Sequence, residues 1–213
     1  MKIRPNTVGA VVCVVALSFG LSARATNLLT DPGFESGGVS SAWSTFGNSA
    51  FSQNFARTGT WSMLNSGPGN FSVPGAFQTL PAAPGQAFDL TGYGLIASPL
   101  TAGQTDFGII QITFWSGPNG TGSNLGTVET SPGNALASAQ INSSSPTGVW
   151  IGLDTGKATA PAGTQSLAAY TLVVDQTATA VYFDDISLTQ VPEPSCFALA
   201  GLGLLGLLLR RRK

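Results

Sequence analysis

Histidine is missing from all 213 residues, and only two cysteines occur, Cys13 and Cys196. Both sit in the apolar ends of the chain, so residues 26–190 contain neither thiol nor imidazole. That excludes disulfides, Ser–His or Cys–His nucleophilic machinery and the usual zinc ligand sets. Positive charge is almost as scarce: Arg57 and Lys157 are the only bases in this stretch against nine acids, a net charge of −7 that the whole chain's −1 conceals. Such a surface argues against nucleic acid, whose phosphates need a basic stripe, and suits cations such as calcium. The remaining catalytic option is a carboxylate pair of the kind used in glycoside hydrolysis, with acids about 5 to 9.5 Å apart in an open cleft. Asp89, Asp106, Glu129 and Asp154 are the acids available for it, but no catalytic signature surrounds them, and the expectation is a protein that is not an enzyme.

The other seven bases lie at the two ends. Residues 1–25 carry Lys2 and Arg4, then an apolar run, then Ala23-Arg24-Ala25. That is the three-part layout of a secretory signal with small residues at the cleavage site, so the mature chain is expected to start near Thr26. Cys13 has no small residue just before it, which argues against lipoprotein processing. At the other end Pro192-Glu193-Pro194-Ser195 precedes fourteen uncharged residues, 196–209, and then Arg210-Arg211-Arg212-Lys213. A cationic cluster behind an apolar segment reads as a cytoplasmic stop. The apolar helix would be about 21 Å long, shorter than a hydrocarbon core of about 30 Å, and snorkelling arginines with local thinning would make up the difference.

The Pro-Glu-Pro triplet, the Gly- and Leu-rich segment and the basic tail together resemble the PEP-CTERM sorting signal. That resemblance implies an exported precursor held in the inner membrane by a C-terminal transmembrane helix. An exosortase would act at Pro192, Glu193 and Pro194, and release would be to the outer surface or extracellular matrix of a Gram-negative, exopolysaccharide-making bacterium. The prolines keep the recognised stretch extended and out of the following helix.

Between the ends, residues 26–190 are one domain's worth of chain, enough to bury a sizeable core. Their periodicity is two. Ile110, Ile112 and Phe114 alternate with Gln111, Thr113 and Trp115, and Ile186 and Leu188 alternate with Asp185 and Ser187. Clusters such as Gly67-Pro68-Gly69-Asn70, Pro84-Gly85 and Gly117-Pro118-Asn119-Gly120 punctuate these runs as turns. Eight to ten short strands at this spacing predict an all-β, jelly-roll β-sandwich. There is no internal repeat, and residues 130–148 read as a long polar connection with at most one weak strand.

Asn27-Leu28-Leu29-Thr30-Asp31-Pro32-Gly33-Phe34-Glu35 and Val181-Tyr182-Phe183-Asp184-Asp185-Ile186-Ser187-Leu188 are similar to the first and last strands of the galactose-binding-like sandwich of many carbohydrate-binding modules. Arg57-Thr58-Gly59-Thr60-Trp61-Ser62, Gln78 with Pro84-Gly85-Gln86, and Thr159-Ala160-Pro161-Ala162-Gly163-Thr164 fall between them in that family's order. The resemblance implies a structural calcium on Glu35 and Asp184. Asp184 shares parity with Ile186 and Leu188, so it is expected to point inward, where an unpaired carboxylate is expensive. A hard cation resolves that expense; so would backbone N–H donors, or Arg57. Asp185, of opposite parity, is expected in solvent.

Binding sugar requires exposed rings to stack on pyranose faces, with amides and carboxylates beside them. Trp115 shares a face with Gln111, Tyr93 with Asp89 and Thr91, and Trp150 with Asp154; these are the ligand candidates, and Trp43 and Trp61 are packing or rim positions. For each ring the competing reading is burial in the core. The expected function is therefore a secreted, exosortase-sorted protein binding carbohydrate or exopolysaccharide, with a structural matrix or surface-layer component as the alternative.

Overall fold

The protein is described by a computed structural model covering residues 26–39, 42–102, 105–126 and 137–191. The signal segment 1–25, Glu129, the Pro192-Glu193-Pro194 motif, the apolar segment 196–209 and the basic tail lie outside the described residues. Among the described residues no helix is long and apolar enough to cross a membrane.

The period-two runs form ten strands: β1 (Ser44–Phe46), β2 (Ser49–Ser52), β3 (Ser62–Ser66), β4 (Gly75–Pro81), β5 (Ala87–Ile96), β6 (Phe107–Trp115), β7 (Ile141–Asn142), β8 (Ile151–Thr159), β9 (Ser166–Val174) and β10 (Ala180–Val191). They pair antiparallel into two five-stranded sheets, β1-β4-β9-β6-β7 (sheet A) and β2-β3-β10-β5-β8 (sheet B). The inner faces meet in one core. Ile110, Ile112 and Phe114 of β6 and Leu167, Ala169 and Val173 of β9 pack there with Phe88 and Leu90 of β5 and Phe183, Ile186 and Leu188 of β10. Turn chemistry follows the sequence signals. Residues 83–86 close a turn with Gln86 N–H donating to Ala83 C=O, and Gly85 supplies the positive φ of 82° behind Pro84. The 130–148 stretch, described from residue 137, contributes only the two-residue β7.

Two local expectations are corrected. Residues 27–35 do not form a strand. Leu28 N–H donates to Leu188 C=O, and the Asn27 side chain bridges Ile186 C=O and Leu188 N–H. Asp31 (φ 53°) and Phe34 (φ 61°) on either side of Pro32 then turn the chain away, and neither conformation is available in an extended ladder. The parity argument for Asp184 also fails. The pairing of β10 with β5 shifts register between Asp184 and Ser187, and Asp185 takes φ 50°. This β-bulge inserts a residue, so it is Phe183, not Asp184, that shares the core face with Ile186 and Leu188. Asp184 lies on the outer side of sheet B, and it is buried there beneath another segment.

Candidate functional site

That segment is residues 55–61, which cross the outer face of sheet B as a strap. Phe55 stacks edge-on against Tyr182 at 4.9 Å, and the Arg57 guanidinium lies 3.5 Å above the Tyr93 ring. The Asp184 carboxylate accepts the N–H groups of Arg57 (2.7 Å), Thr58 (3.3 Å) and Asp185 (2.7 Å). Burial pushes its pKa up to about 6 although these donors pull the other way. Asp185, expected in solvent, is ion-paired with Arg57 Nη1 at 2.6 Å and accepts the Thr58 hydroxyl at 2.6 Å. Glu35 fastens the far end of the strap by accepting the N–H groups of Thr60 and Trp61, each at 3.0 Å. A methyl group placed on Gly33 would lie 3.7 Å from Asp184 Oδ1, 3.8 Å from Asp185 Oδ1 and 3.8 Å from Glu35 Cγ, so the acids converge on this turn.

Oxygen donors of this kind suit a hard cation. As arranged, the oxygens of Glu35 and Asp184 bind the chain's own N–H groups, and among the described residues no three Asp, Glu, His or Cys side chains group as a metal cage. Trp43 and Trp61 serve packing here: Trp43 stacks 4.9 Å from Phe34 and donates its indole N–H to Asp31 C=O, and Trp61 packs half-buried against the core.

The four ligand candidates divide between opposite faces of the sandwich. Tyr93, already covered on one side by Arg57, belongs to sheet B, and Trp150 enters β8 of the same sheet. Nearby, Asp89 of β5 and Asp154 of β8 lie on adjacent strands, Asp154 opposite Thr91; burial first and the Asp154 charge second raise the Asp89 pKa. Asp106 is remote from them, accepting the N–H groups of Gln176 and Thr177 at the end of β9.

Trp115 and Gln111 lie together on the outer face of sheet A. Register places Gln111 opposite Tyr170 and Tyr170 opposite Phe77, with Ser44 beyond, so one row crosses four strands. Phe77 and Tyr170 have centroids 5.4 Å apart, and Phe46 joins them at 6.0 Å and 6.4 Å. Gln111 is held by donating to Thr113 at 3.1 Å. The Trp115 indole nitrogen is buried without a hydrogen bond, although it lies close enough to the Tyr170 hydroxyl to lower a phenol pKa that burial raises. None of β1, β4, β6, β7 or β9 contains a charged residue. At the β4 edge the face continues into a groove of about 330 Å³ lined by Leu28, Thr30, Ser44, Phe77, Thr79 and Pro81 among others. Phe46, Phe77 and Tyr170 are additions to the site read from sequence. The period-two pattern of Phe77, Thr79 and Pro81 was available to find them, but which strands neighbour β6 was not.

Residues 190–213 match the PEP-CTERM protein-sorting motif. No curated protein matches the chain in sequence. Among solved structures, the CBM22-1 xylan-binding domain of Paenibacillus barcinonensis Xyn10C aligns with TM-score 0.53 at 20% identity, over 79% of this chain and 97% of that module. A second xylan-binding domain from CBM 22 aligns with TM-score 0.50 at 16% identity, over 78% and 97%. The enzymatically active domain of bacteriophage CBA120 tailspike protein 4 aligns with TM-score 0.53 at 13% identity, and there the match spans 78% of this chain but only 21% of the tailspike chain. These likenesses establish the carbohydrate-binding-module type of sandwich as the fold.

Proposed function

We propose that the protein is exported, processed by an exosortase at its C-terminal motif, and binds neutral polysaccharide without catalysis across the outer face of sheet A. The observation that carries this reading is the charge-free row of Ser44, Phe77, Tyr170 and Gln111 ending beside Trp115. Aromatic faces supply stacking for the apolar side of a pyranose, and the hydroxyls of exposed Ser44 and half-buried Thr79 and Tyr170 supply polar partners, while Gln111 and Thr113 are buried beneath the face. Relatives of the same fold that are named for xylan binding make xylan the first ligand to try. The sorting motif supports delivery to the cell exterior.

The non-catalytic part of the reading is supported by the acids. Asp89 and Asp154 lie on the neighbouring strands β5 and β8, Asp106 is taken up by the N–H groups of Gln176 and Thr177, and no catalytic signature surrounds them. Glu35 and Asp184 are the residues that would hold a structural calcium; its contribution would be to fasten the 55–61 strap. The competing reading, a structural matrix component, draws on one observation: the rings of sheet A are half-buried and packed on one another.

The test is affinity electrophoresis of the purified protein in gels containing xylan or other soluble neutral polysaccharides. Retardation that disappears in both Trp115→Ala and Tyr170→Ala, each losing about 1–3 kcal/mol of binding, supports the sheet A site. Retardation unchanged in both variants but lost in Tyr93→Ala would move the site to sheet B, and no retardation at all would favour the structural component.

A further inference from the structure

The last strand and the sorting motif overlap. β10 remains paired to its final residue, with Gln190 opposite Phe88 and Val191 opposite Ala87, while the motif match begins at residue 190. Pro192 is therefore the next residue after a ladder-bound one, and the Pro192–Pro194 triplet spans at most about 11 Å when extended. An enzyme cleft that grips this triplet has to meet the end of the sandwich from which it emerges.

That end is built from three loops. Residues 82–86 and 160–165 are tied together by Gly85 N–H to Ala160 C=O, Ala160 N–H to Gln86 C=O and Ala82 N–H to Gln165 C=O. Residues 116–126 join them through Gln165 N–H to Trp115 C=O and Gly120 N–H to Ser166 Oγ. In a domain with nine acids and two bases, none of these loops carries a charge, and neither do residues 26–30 beside them. Along the β5–β8 ladder, among the described residues, the first charged side chains inward are Asp89 and Lys157, two positions beyond Ala87 and Thr159. Ala83, Pro84, Gly85, Ala162 and Gly163 are exposed at the tip, and a methyl group on Gly85 would meet nothing within 4 Å.

We infer that this charge-free end, centred on Ala83–Gly85 and Ala162–Gly163, is the docking surface for the membrane enzyme that processes the motif. This rests on the sorting reading above. The adjacency forces contact, and the absence of charge lets that contact close without desolvating a carboxylate.

The experiment follows conversion of full-length precursor to processed protein in a host carrying its sorting enzyme. The double variant Ala83→Glu/Ala162→Glu is expected to slow conversion about tenfold. A flexible twelve-residue Gly-Ser insert between Val191 and Pro192 is expected to restore it, by moving the end away from the enzyme. Protease resistance of the same precursors checks folding, and Ala162→Lys provides an independent variant at an exposed turn position. Normal conversion of the charged variants, with conversion abolished in Pro192→Ala/Glu193→Ala, overturns the docking surface and leaves the sorting reading standing. Normal conversion of the motif variant as well overturns both.

Discussion

Asp184 is a carboxylate with no exposed surface, three backbone N–H donors and a pKa near 6. An aspartate in an unfolded chain titrates near 3.9. The folded state therefore binds the proton more tightly, so this group's stabilisation is complete below about pH 4 and is lost as pH rises through 6. With a chelator present, lowering pH from 7 to 5 should stabilise the protein by about 1 kcal/mol through Asp184, or a melting temperature higher by about 3 °C. Asp184→Asn should lose that increment of pH dependence. Bound calcium would reverse the sign by holding the carboxylate ionised, so calcium added at pH 7 should raise the melting temperature and acid should then lower it. A melt with the same pH slope in wild type and Asp184→Asn, with and without calcium, would remove Asp184 from both accounts.

At the scale of the element, what the sequence discloses depends on whether a strand is regular. In β6 the alternation of Ile110, Ile112 and Phe114 with Gln111, Thr113 and Trp115 reads correctly onto core and outer face, because nothing interrupts the pleat. In β10 a single inserted residue at Asp185 reverses the parity of everything before it, and no local signal announces a bulge between two aspartates. Neighbourhood is likewise invisible: Tyr170 and Phe77 lie 59 and 34 residues away in sequence from Gln111 (170 − 111 and 111 − 77), and only the β4-β9-β6 order brings them into one row. The bulge also has a packing consequence on β5. A methyl group on Gly92 would lie 2.5 Å from Ile186 Cδ1, and Ile186 is fully buried. Gly152 on β8, opposite Tyr93 in the ladder, faces solvent, with only Tyr93 Cε1 near it at 3.8 Å. Gly92→Ala should therefore destabilise the domain by about 1–3 kcal/mol through overpacking. Gly152→Ala should change urea stability by less than about 0.5 kcal/mol. Equal effects in the two variants would mean that β10 does not cross β5 in this bulged register.

Across the whole molecule, charge is sorted by sheet. Every charged residue that lies in a strand belongs to β5, β8 or β10 of sheet B, while the five strands of sheet A have none. The two faces should therefore respond differently to salt. Contacts on sheet A are stacking and neutral hydrogen bonds, which ions screen little, whereas any ligand recruited by Arg57, Asp89, Asp154 or Lys157 feels a field that fades beyond about 10 Å at 0.1 M salt. If sheet A holds the polysaccharide, the dissociation constant measured by isothermal calorimetry should change less than about twofold between 0.05 and 0.5 M sodium chloride. An acidic polysaccharide, repelled by a domain of net charge −7, should bind more weakly at low salt than a neutral one of the same backbone. A large loss of neutral-glycan affinity with added salt would place the ligand on sheet B. In that case the aromatic row of sheet A would be packing surface, and the acids that fasten the strap would have a second role.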